Sequence, residues 1–133
     1  MATSLQKNEN YLSPAKESSL LHDFSNITLI GTVVAKSASE QPRVSSYENG
    51  EASLCGKADV GLTTSLDMKL GTINGPFDSV EEMILPVTVV TTGGVVSTGY
   101  IQISGLNITV VGTPAASDVY HLNGLKYIVK DAV

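Results

Sequence analysis

Residues 83–112 read MILPVTVVTTGGVVSTGYIQISGLNITVVG, and this stretch decides the fold class. Valine, isoleucine and threonine are concentrated in short runs, as in β-strands, and glycine separates the runs. We predict strands over Met83 to Thr92, Val95 to Ser104 and Leu106 to Gly112, with a turn at Gly93-Gly94. Because side chains alternate along a strand, one face of the second run contains Val96, Thr98, Tyr100, Gln102 and Ser104.

Similar signals extend from this stretch toward the N-terminus. Strand-like runs occupy residues 26–35, 44–47, 52–60 and 65–73. Asn49-Gly50 lies between two of these runs and is a hairpin signal. In residues 65–73, alternation predicts a half-buried strand with Leu66, Met68 and Leu70 on one side. A single helical turn is predicted over Asp78 to Glu82.

Toward the C-terminus, Asn123-Gly124 separates two short apolar runs, Val119 to Leu122 and Leu125 to Val129. An Asn-Gly pair between such runs is typical of a type I′ turn. We therefore predict that the two runs pair with each other as a β-hairpin.

The complete pattern predicts eight or nine short strands and no helix of ordinary length. Regular strand spacing with Gly, Pro and Asn turns indicates an all-β protein, an antiparallel jelly roll or β-sandwich. A chain of 133 residues suits one compact domain with an additional arm. We assign residues 24–133 to the β-sandwich and residues 1–23 to an extended N-terminal arm.

The predicted arm is polar, and its scattered apolar residues have no core of their own. Pro14 interrupts any helix across its middle. Two interpretations remain open: a disordered terminus, or an arm that becomes ordered on a partner. Under the second interpretation, the candidate attachment residues are Leu5, Tyr11, Leu12, Pro14, Leu20 and Leu21.

The C-terminal half contains a long stretch without charge, from Met83 to Ser117, between Glu82 and Asp118. A sheet with one face in water normally exposes charged residues there, and lysine or glutamate protects its edges. The outer face is therefore covered by the same subunit, covered by other copies, or exposed as a Thr/Ser-rich surface. Depletion of charge favours association between copies. The predicted subunit-interface residues are Val87, Val89, Val96, Tyr100, Ile101, Ile103, Ile108 and Val110.

Composition argues against several classes of partner. Hydrophobic residues make up 42% of the chain and the net charge is −5, so the basic surface of a nucleic-acid-binding protein is not expected. The longest apolar runs have four or five residues, far below the roughly 20 of a membrane-spanning helix. A signal peptide is not visible, so we expect synthesis in the cytoplasm of the host.

Candidate catalytic and metal-binding residues are few, and their spacing does not match a known chemistry. His22 and His121 lack neighbours at zinc-ligand spacing, and Cys55 is a lone cysteine best interpreted as a small buried residue. Asp78, Glu81 and Glu82 lack the alternation of a calcium loop. We therefore expect no enzymatic activity, no cofactor and no metal.

Three tyrosines of the C-terminal strands, Tyr100, Tyr120 and Tyr127, permit a different function. Exposed together, they would form a stacking platform for sugar rings. The more common alternative is that they lie in the core or at a subunit interface.

The order of motifs in residues 60–129 resembles the head domains of bacteriophage fibres. The resemblance depends on a Leu-Pro segment at residues 82–87, the Gly-Tyr-Ile-Gln-Ile and Ile-Thr-Val-Val-Gly motifs of residues 98–112, and the terminal segment 120–127. Those heads are TNF-like jelly rolls that form trimers. Small fibre and decoration proteins of phage capsids are also similar, because they join an N-terminal arm to an oligomeric β-domain.

The resemblance implies a structural virion protein, a head fibre or capsid decoration protein. It would be a homotrimer on the capsid surface, bound to the major capsid protein through residues 1–23. The alternative is the receptor-binding head of a tail fibre, which would recognise a glycan on the host surface. A coiled-coil or repeat shaft is not visible in the sequence, and this favours the capsid-bound protein.

Overall fold

The computed structural model describes residues 20–77, 79 and 82–129, which fold into twelve antiparallel β-strands. Within those ranges the helical structure is one 3-10 turn at Ala38–Glu40. In chain order the strands are β1 (Leu20–Asn26), β2 (Thr28–Leu29), β3 (Val34–Ala35), β4 (Arg43–Tyr47), β5 (Glu51–Cys55), β6 (Lys57–Asp59), β7 (Lys69–Thr72), β8 (Met83–Val90), β9 (Val96–Ser104), β10 (Asn107–Val110), β11 (Val119–His121) and β12 (Lys126–Ile128).

The strands form two sheets that enclose one core. The larger sheet has the order β2-β7-β10-β9-β8-β11-β6-β3, and the smaller has the order β1-β4-β5-β12. Strands β2 and β3 lie at opposite ends of the larger sheet, although four residues separate them in sequence. The larger sheet therefore curls into a nearly closed barrel. The prediction of an all-β, antiparallel sandwich is confirmed.

The core follows from the alternation of side chains along the long strands. Val87 and Val89 of β8 point inward, as do Ile101 and Ile103 of β9. The smaller sheet contributes Val44, Ala52, Leu54 and Tyr127. The buried hydroxyl of Tyr127 donates a hydrogen bond of 2.7 Å to the carbonyl oxygen of Phe77. Burying one such aliphatic or aromatic side chain contributes roughly 1.5–3 kcal/mol to stability.

The predicted hairpin at Asn123-Gly124 is wrong, because the two flanking runs belong to different sheets. β11 pairs with β6 and β8, whereas β12 pairs with β5. A turn does form, since the amide of Leu125 donates to the carbonyl of Leu122 at 3.2 Å. It bends the chain from one sheet into the other without reversing it, so that residues 119–128 run antiparallel to residues 51–59 throughout.

The bend has a counterpart at Gly56, between β5 and β6. The amide of Gly56 donates to Oδ1 of Asn123 at 2.8 Å and so joins the two bends. By contrast, the hairpin predicted at Asn49-Gly50 is confirmed, because β4 and β5 pair directly across it. The strands predicted around Gly93-Gly94 are confirmed as β8 and β9.

The predicted strand over residues 65–73 is shorter than expected. β7 begins at Lys69, and the Leu66 side chain is 70% exposed, so it does not share the buried face of Leu70. The reason is Asp67, whose φ of 50° interrupts the alternation. Instead, the amide of Asp67 donates a hydrogen bond to the carbonyl oxygen of Gly112, and Oδ1 of Asp67 accepts one from the amide of Gly112, each at 2.7 Å.

Two other predictions fall partly outside the described residues. Of the predicted helical turn over residues 78–82, the described Ser79 forms an antiparallel bridge with Val129. Of the predicted arm, residues 20–23 belong to β1, where Leu20 is paired with Tyr47. Leu20 and Leu21 are therefore strand residues, while Leu5, Tyr11, Leu12 and Pro14 lie outside the described residues.

Gly56→Ala is expected to reduce the free energy of unfolding by about 2–5 kcal/mol. Gly56 has a φ of 102°, and an added Cβ would lie 2.6 Å from the Pro42 Cα atom. A positive φ costs a residue with a side chain roughly 1–2 kcal/mol, and overpacking against rigid backbone costs roughly 1–3 kcal/mol. Urea denaturation followed by circular dichroism measures the change.

Gly93→Ala is the matched control for this experiment. It lies in the turn between β8 and β9, and an added Cβ would meet no atom within 4 Å. We expect its stability to equal that of the wild type or to exceed it by a few tenths of a kcal/mol. Equal stability of the two variants would contradict the role assigned to the Gly56 bend.

Candidate interaction surface

The outer side of β8 and β9 is a continuous surface without charge. The strands pair so that Ile84 lies opposite Gln102, Pro86 opposite Tyr100 and Thr88 opposite Thr98. Paired residues project to the same side of a sheet, so these side chains are neighbours. We define the β8–β9 face as the outward side chains Ile84, Pro86, Val96, Tyr100 and Gln102, whereas Thr88 and Thr98 belong to the groove described below.

Large apolar groups of this face lie in water in the single chain. Ile84 is 59% exposed, Val96 is 67% exposed and Tyr100 is 49% exposed. Single exposed apolar residues are ordinary, but a contiguous group without lysine or glutamate is typical of an interaction site. Among the described residues, none covers this face, whereas the inner face of the same strands is buried in the core.

The predicted interface residues divide into two groups. Val87, Val89, Ile101, Ile103, Ile108 and Val110 are buried in the core of the single chain. They are enclosed by their own subunit because they point into its core, so they are not available to another copy. Val96 and Tyr100 point outward, and their place in an interface stays a prediction. Ile84 also points outward but was not among the predicted interface residues.

The three tyrosines do not form a common stacking platform. Tyr100 is exposed, whereas Tyr120 and Tyr127 are buried in the core. Burial raises the pKa of the Tyr120 hydroxyl above its ordinary value of 10.0, and the Asp118 carboxylate contributes to this increase. Tyr100 alone of the three can therefore stack on an external ring.

Next to the β8–β9 face lies a depression that we call the His121 groove. It consists of two hollows of about 390 Å³ and 360 Å³, and His121 borders both. One wall contains charged residues of β6 and of the segment before β4. The opposite wall contains threonines of β8 and β9. Besides His121, the first hollow is lined by charged residues, apolar residues and hydroxyl-bearing residues: Lys36, Glu40, Lys57, Asp59, Val90, Val119, Thr91, Thr92 and Ser117.

The charges of the groove are largely neutralised within the wall. The Lys57 ammonium lies 2.7 Å from Oε2 of Glu40, and the Ser37 hydroxyl donates to Oε1 of Glu40 at 2.9 Å. These two interactions hold the pKa of Glu40 below its ordinary value of 4.5. Oδ1 of Asp59 accepts a hydrogen bond of 2.8 Å from the amide of Gly61. The two lysines and two carboxylates sum to zero charge.

The environment of His121 favours the neutral form of its imidazole. Partial burial lowers the pKa of its imidazole below the ordinary value of 6.5, the nearby Lys57 lowers it further, and Glu40 opposes the shift. Neither ring nitrogen has a hydrogen-bond partner among the described residues. The neutral ring therefore presents one donor and one acceptor toward the groove.

Within residues 20–77, 79 and 82–129, the acidic, histidine and cysteine side chains do not group in threes as a metal site requires. Helices long and apolar enough to cross a membrane are also absent from those ranges. His22 packs edge-on against the Phe77 ring, with 5.8 Å between ring centroids.

Comparison with known proteins gives one informative likeness. Models of protein families do not match the chain, and neither do curated proteins. The structure is similar to that of the receptor binding protein (gp15) of Listeria phage PSA, with a TM-score of 0.65 and 15% sequence identity. The alignment covers 96% of this chain and 74% of that protein. The two proteins share a fold, whereas the predicted likeness to TNF-like heads and head fibres stays a prediction.

Two substitutions are expected to shift the His121 pKa in opposite directions. Lys57→Gln removes a nearby positive charge and raises the pKa, whereas Glu40→Gln removes a negative charge and lowers it. The histidine ring signals in an NMR titration measure both values. Shifts of the same sign in the two variants would contradict this description of the groove.

The same pKa predicts a pH dependence of stability. Because the folded-state pKa lies below the unfolded value near 6.5, the unfolded chain binds more protons between the two values. The contribution of His121 to stability is therefore complete above pH 6.5 and is lost as the pH falls from there to the folded-state pKa. His121→Gln should remove this part of the pH dependence in denaturation experiments.

Proposed function

We propose that this chain is a receptor-binding protein on the surface of a phage virion and that it acts as a homotrimer. The observation that supports this function is the likeness in fold to a phage receptor binding protein over 96% of the chain. Because one fold can serve many functions, the function also has to be supported by the residues on the surface of this chain. The chain offers an apolar, uncharged face for self-association and a polar groove beside it for a ligand.

The β8–β9 face is the proposed contact between subunits. Depletion of charge and enrichment of aromatic residues distinguish the centre of protein interfaces, and this face has Tyr100 at its middle with no charged residue. Copies of the face could meet around a cyclic symmetry axis, and three copies are the number that the resemblance to phage fibre heads implies. Burial of Ile84, Val96 and Tyr100 would then remove the largest apolar groups of the face from water.

We further propose that the protein binds its receptor without catalysing a reaction. A nucleophilic mechanism requires a serine, threonine or cysteine within hydrogen-bond distance of a base. The ring nitrogens of His121 have no such partner in the described part of the chain, and Cys55 is a half-buried residue near the bend at Gly56.

A capsid head fibre or decoration protein is the second candidate function. It is supported by the composition of residues 1–19, a polar segment in which Leu5, Tyr11 and Leu12 are isolated apolar residues. The segment is followed in sequence by β1, which belongs to the smaller sheet, whereas β8 and β9 belong to the larger sheet. Capsid attachment through this segment and self-association through the β8–β9 face are therefore compatible.

Ile84→Lys is expected to dissociate the oligomer. A lysine at the centre of an apolar contact would be desolvated without a partner, which is strongly unfavourable. Light scattering at micromolar concentration should give about three times the 13.9 kDa of one chain for the wild type and one chain mass for the variant.

Ile128→Lys is the matched control, since Ile128 is 48% exposed on the smaller sheet, opposite Glu51 in β5. This variant should keep the wild-type mass. A monomeric wild type, or a trimer that persists in Ile84→Lys, would contradict the proposed interface.

Binding to intact host cells separates the two candidate functions. The labelled protein should bind cells of the host bacterium and reduce adsorption of the phage, if it is a receptor-binding protein. The double substitution Tyr11→Ala with Leu12→Ala should leave this binding unchanged. If instead the variant fails to join capsids while the wild type joins them and ignores cells, the head-fibre function is the correct one.

A further inference from the structure

We infer that the His121 groove is a binding site for an uncharged saccharide. The inference deepens the proposed function, because it gives the receptor a chemical class and places its site on named residues. The geometry combines three features that a sugar requires: a hollow of suitable size, an apolar floor, and polar atoms that both donate and accept hydrogen bonds.

The shape of the groove fits a small ligand. Its two hollows, about 390 Å³ and 360 Å³, lie within the range of roughly 300–1,000 Å³ that is usual for small-molecule sites. The floor of the first hollow is formed by Val90 and Val119, which are paired across β8 and β11. Val119 is buried although its side chain points to the outer side of the sheet. Such a floor can contact the C–H face of a sugar ring.

The rim of the groove is held in place by its own hydrogen bonds. The Thr92 hydroxyl donates to the carbonyl of Ala116 at 3.3 Å and links the loops that follow β8 and precede β11. The Thr91 hydroxyl accepts from the amide of Val95 at 3.1 Å. The site is therefore formed before a ligand arrives, which reduces the entropy that binding must overcome.

The polar groups that remain match a polyhydroxyl ligand. Each sugar hydroxyl is both a donor and an acceptor, and so is a neutral imidazole. Besides His121, the hydroxyls of Ser117, Thr88 and Thr98 border the groove and have no hydrogen-bond partner among the described residues. These side chains supply hydrogen-bond donors and acceptors in both hollows of the groove.

The charge of the groove selects against ionic ligands. Lys57 is engaged by Glu40, so it is not available to a phosphate or carboxylate group without breaking a contact of 2.7 Å. An anion in the first hollow would also lie near Glu40 and Asp59, whereas a cation would meet Lys36 and Lys57. An uncharged ligand avoids both costs.

The test is a glycan array that carries neutral mono- to trisaccharides beside sialylated and sulfated forms of the same sugars. The wild-type oligomer should bind neutral spots and bind the anionic forms more weakly. His121→Ala should bind roughly tenfold more weakly, the effect of losing one or two hydrogen bonds. His121→Gln, which retains a donor and an acceptor, should recover part of the binding.

Two further variants distinguish a loss of the binding site from a loss of folding. Thr88→Glu places a negative charge at an exposed position opposite His121 and should also abolish binding. Thr109→Ala, on β10 of the same sheet and outside both the groove and the β8–β9 face, should bind as the wild type does. Retained circular dichroism and oligomer mass confirm that each variant is folded.

The outcomes separate this inference from the proposed function. Binding of host cells that His121→Ala and Thr88→Glu leave intact would overturn the groove as the site while the receptor-binding function stands. A preference for anionic over neutral sugars, or an absence of saccharide binding in the wild type, would also overturn it. Saccharide binding that depends on His121, together with failure to bind host cells, would contradict the receptor-binding function alone.

Discussion

The long antiparallel pairing between residues 51–59 and residues 119–128 is the interaction on which the remainder of the structure depends. Its two segments start in the smaller sheet as β5 and β12 and continue in the larger sheet as β6 and β11. The change of sheet requires a bend in both partners at the same level, which Gly56 and Asn123 supply together. This pairing places Tyr127 in the core and His121 beside Lys57. Without it, no pair of strands would pass from one sheet to the other at this point, and the groove would lose the β6 and β11 residues that line it.

Local sequence signals predicted the strands of this protein well and their partners poorly. Enrichment in valine, isoleucine and threonine identified β8 and β9, and the turn between them followed from Gly93-Gly94. The two Asn-Gly pairs, however, are locally alike and have different roles. Asn49-Gly50 reverses the chain between β4 and β5, which pair with each other. Asn123-Gly124 only bends the chain, because the runs on both sides of it pair with residues 51–59 instead of with each other. The preference of a four-residue segment for a turn does not determine which strand pairs with the residues that follow the turn.

For the candidate site too, some features could be predicted from the sequence and others could not. The absence of charge from Met83 to Ser117 indicated an association surface, and the parity of Thr98 and Gln102 identified the outer side of β9. The inner isoleucines of that strand were nonetheless assigned to the interface, because apolar residues occur on both sides and the sequence does not show which side meets a second sheet. The groove was beyond prediction, since it combines residues from four separate segments around His121.

Segregation of charge on the larger sheet explains how one surface can serve both association and ligand binding. Lys57, Glu40 and Asp59 lie on the β6 side, and the β8–β9 face has no charge. A second copy that extended across β6 would desolvate an ion pair, and removal of water from such a pair costs more than apolar contact there returns. The proposed association would therefore be confined to the uncharged strands, with its border at Thr88 and His121. The proposed groove would remain open at that border, and the proposed oligomer would present several copies of a weak site to the same cell surface.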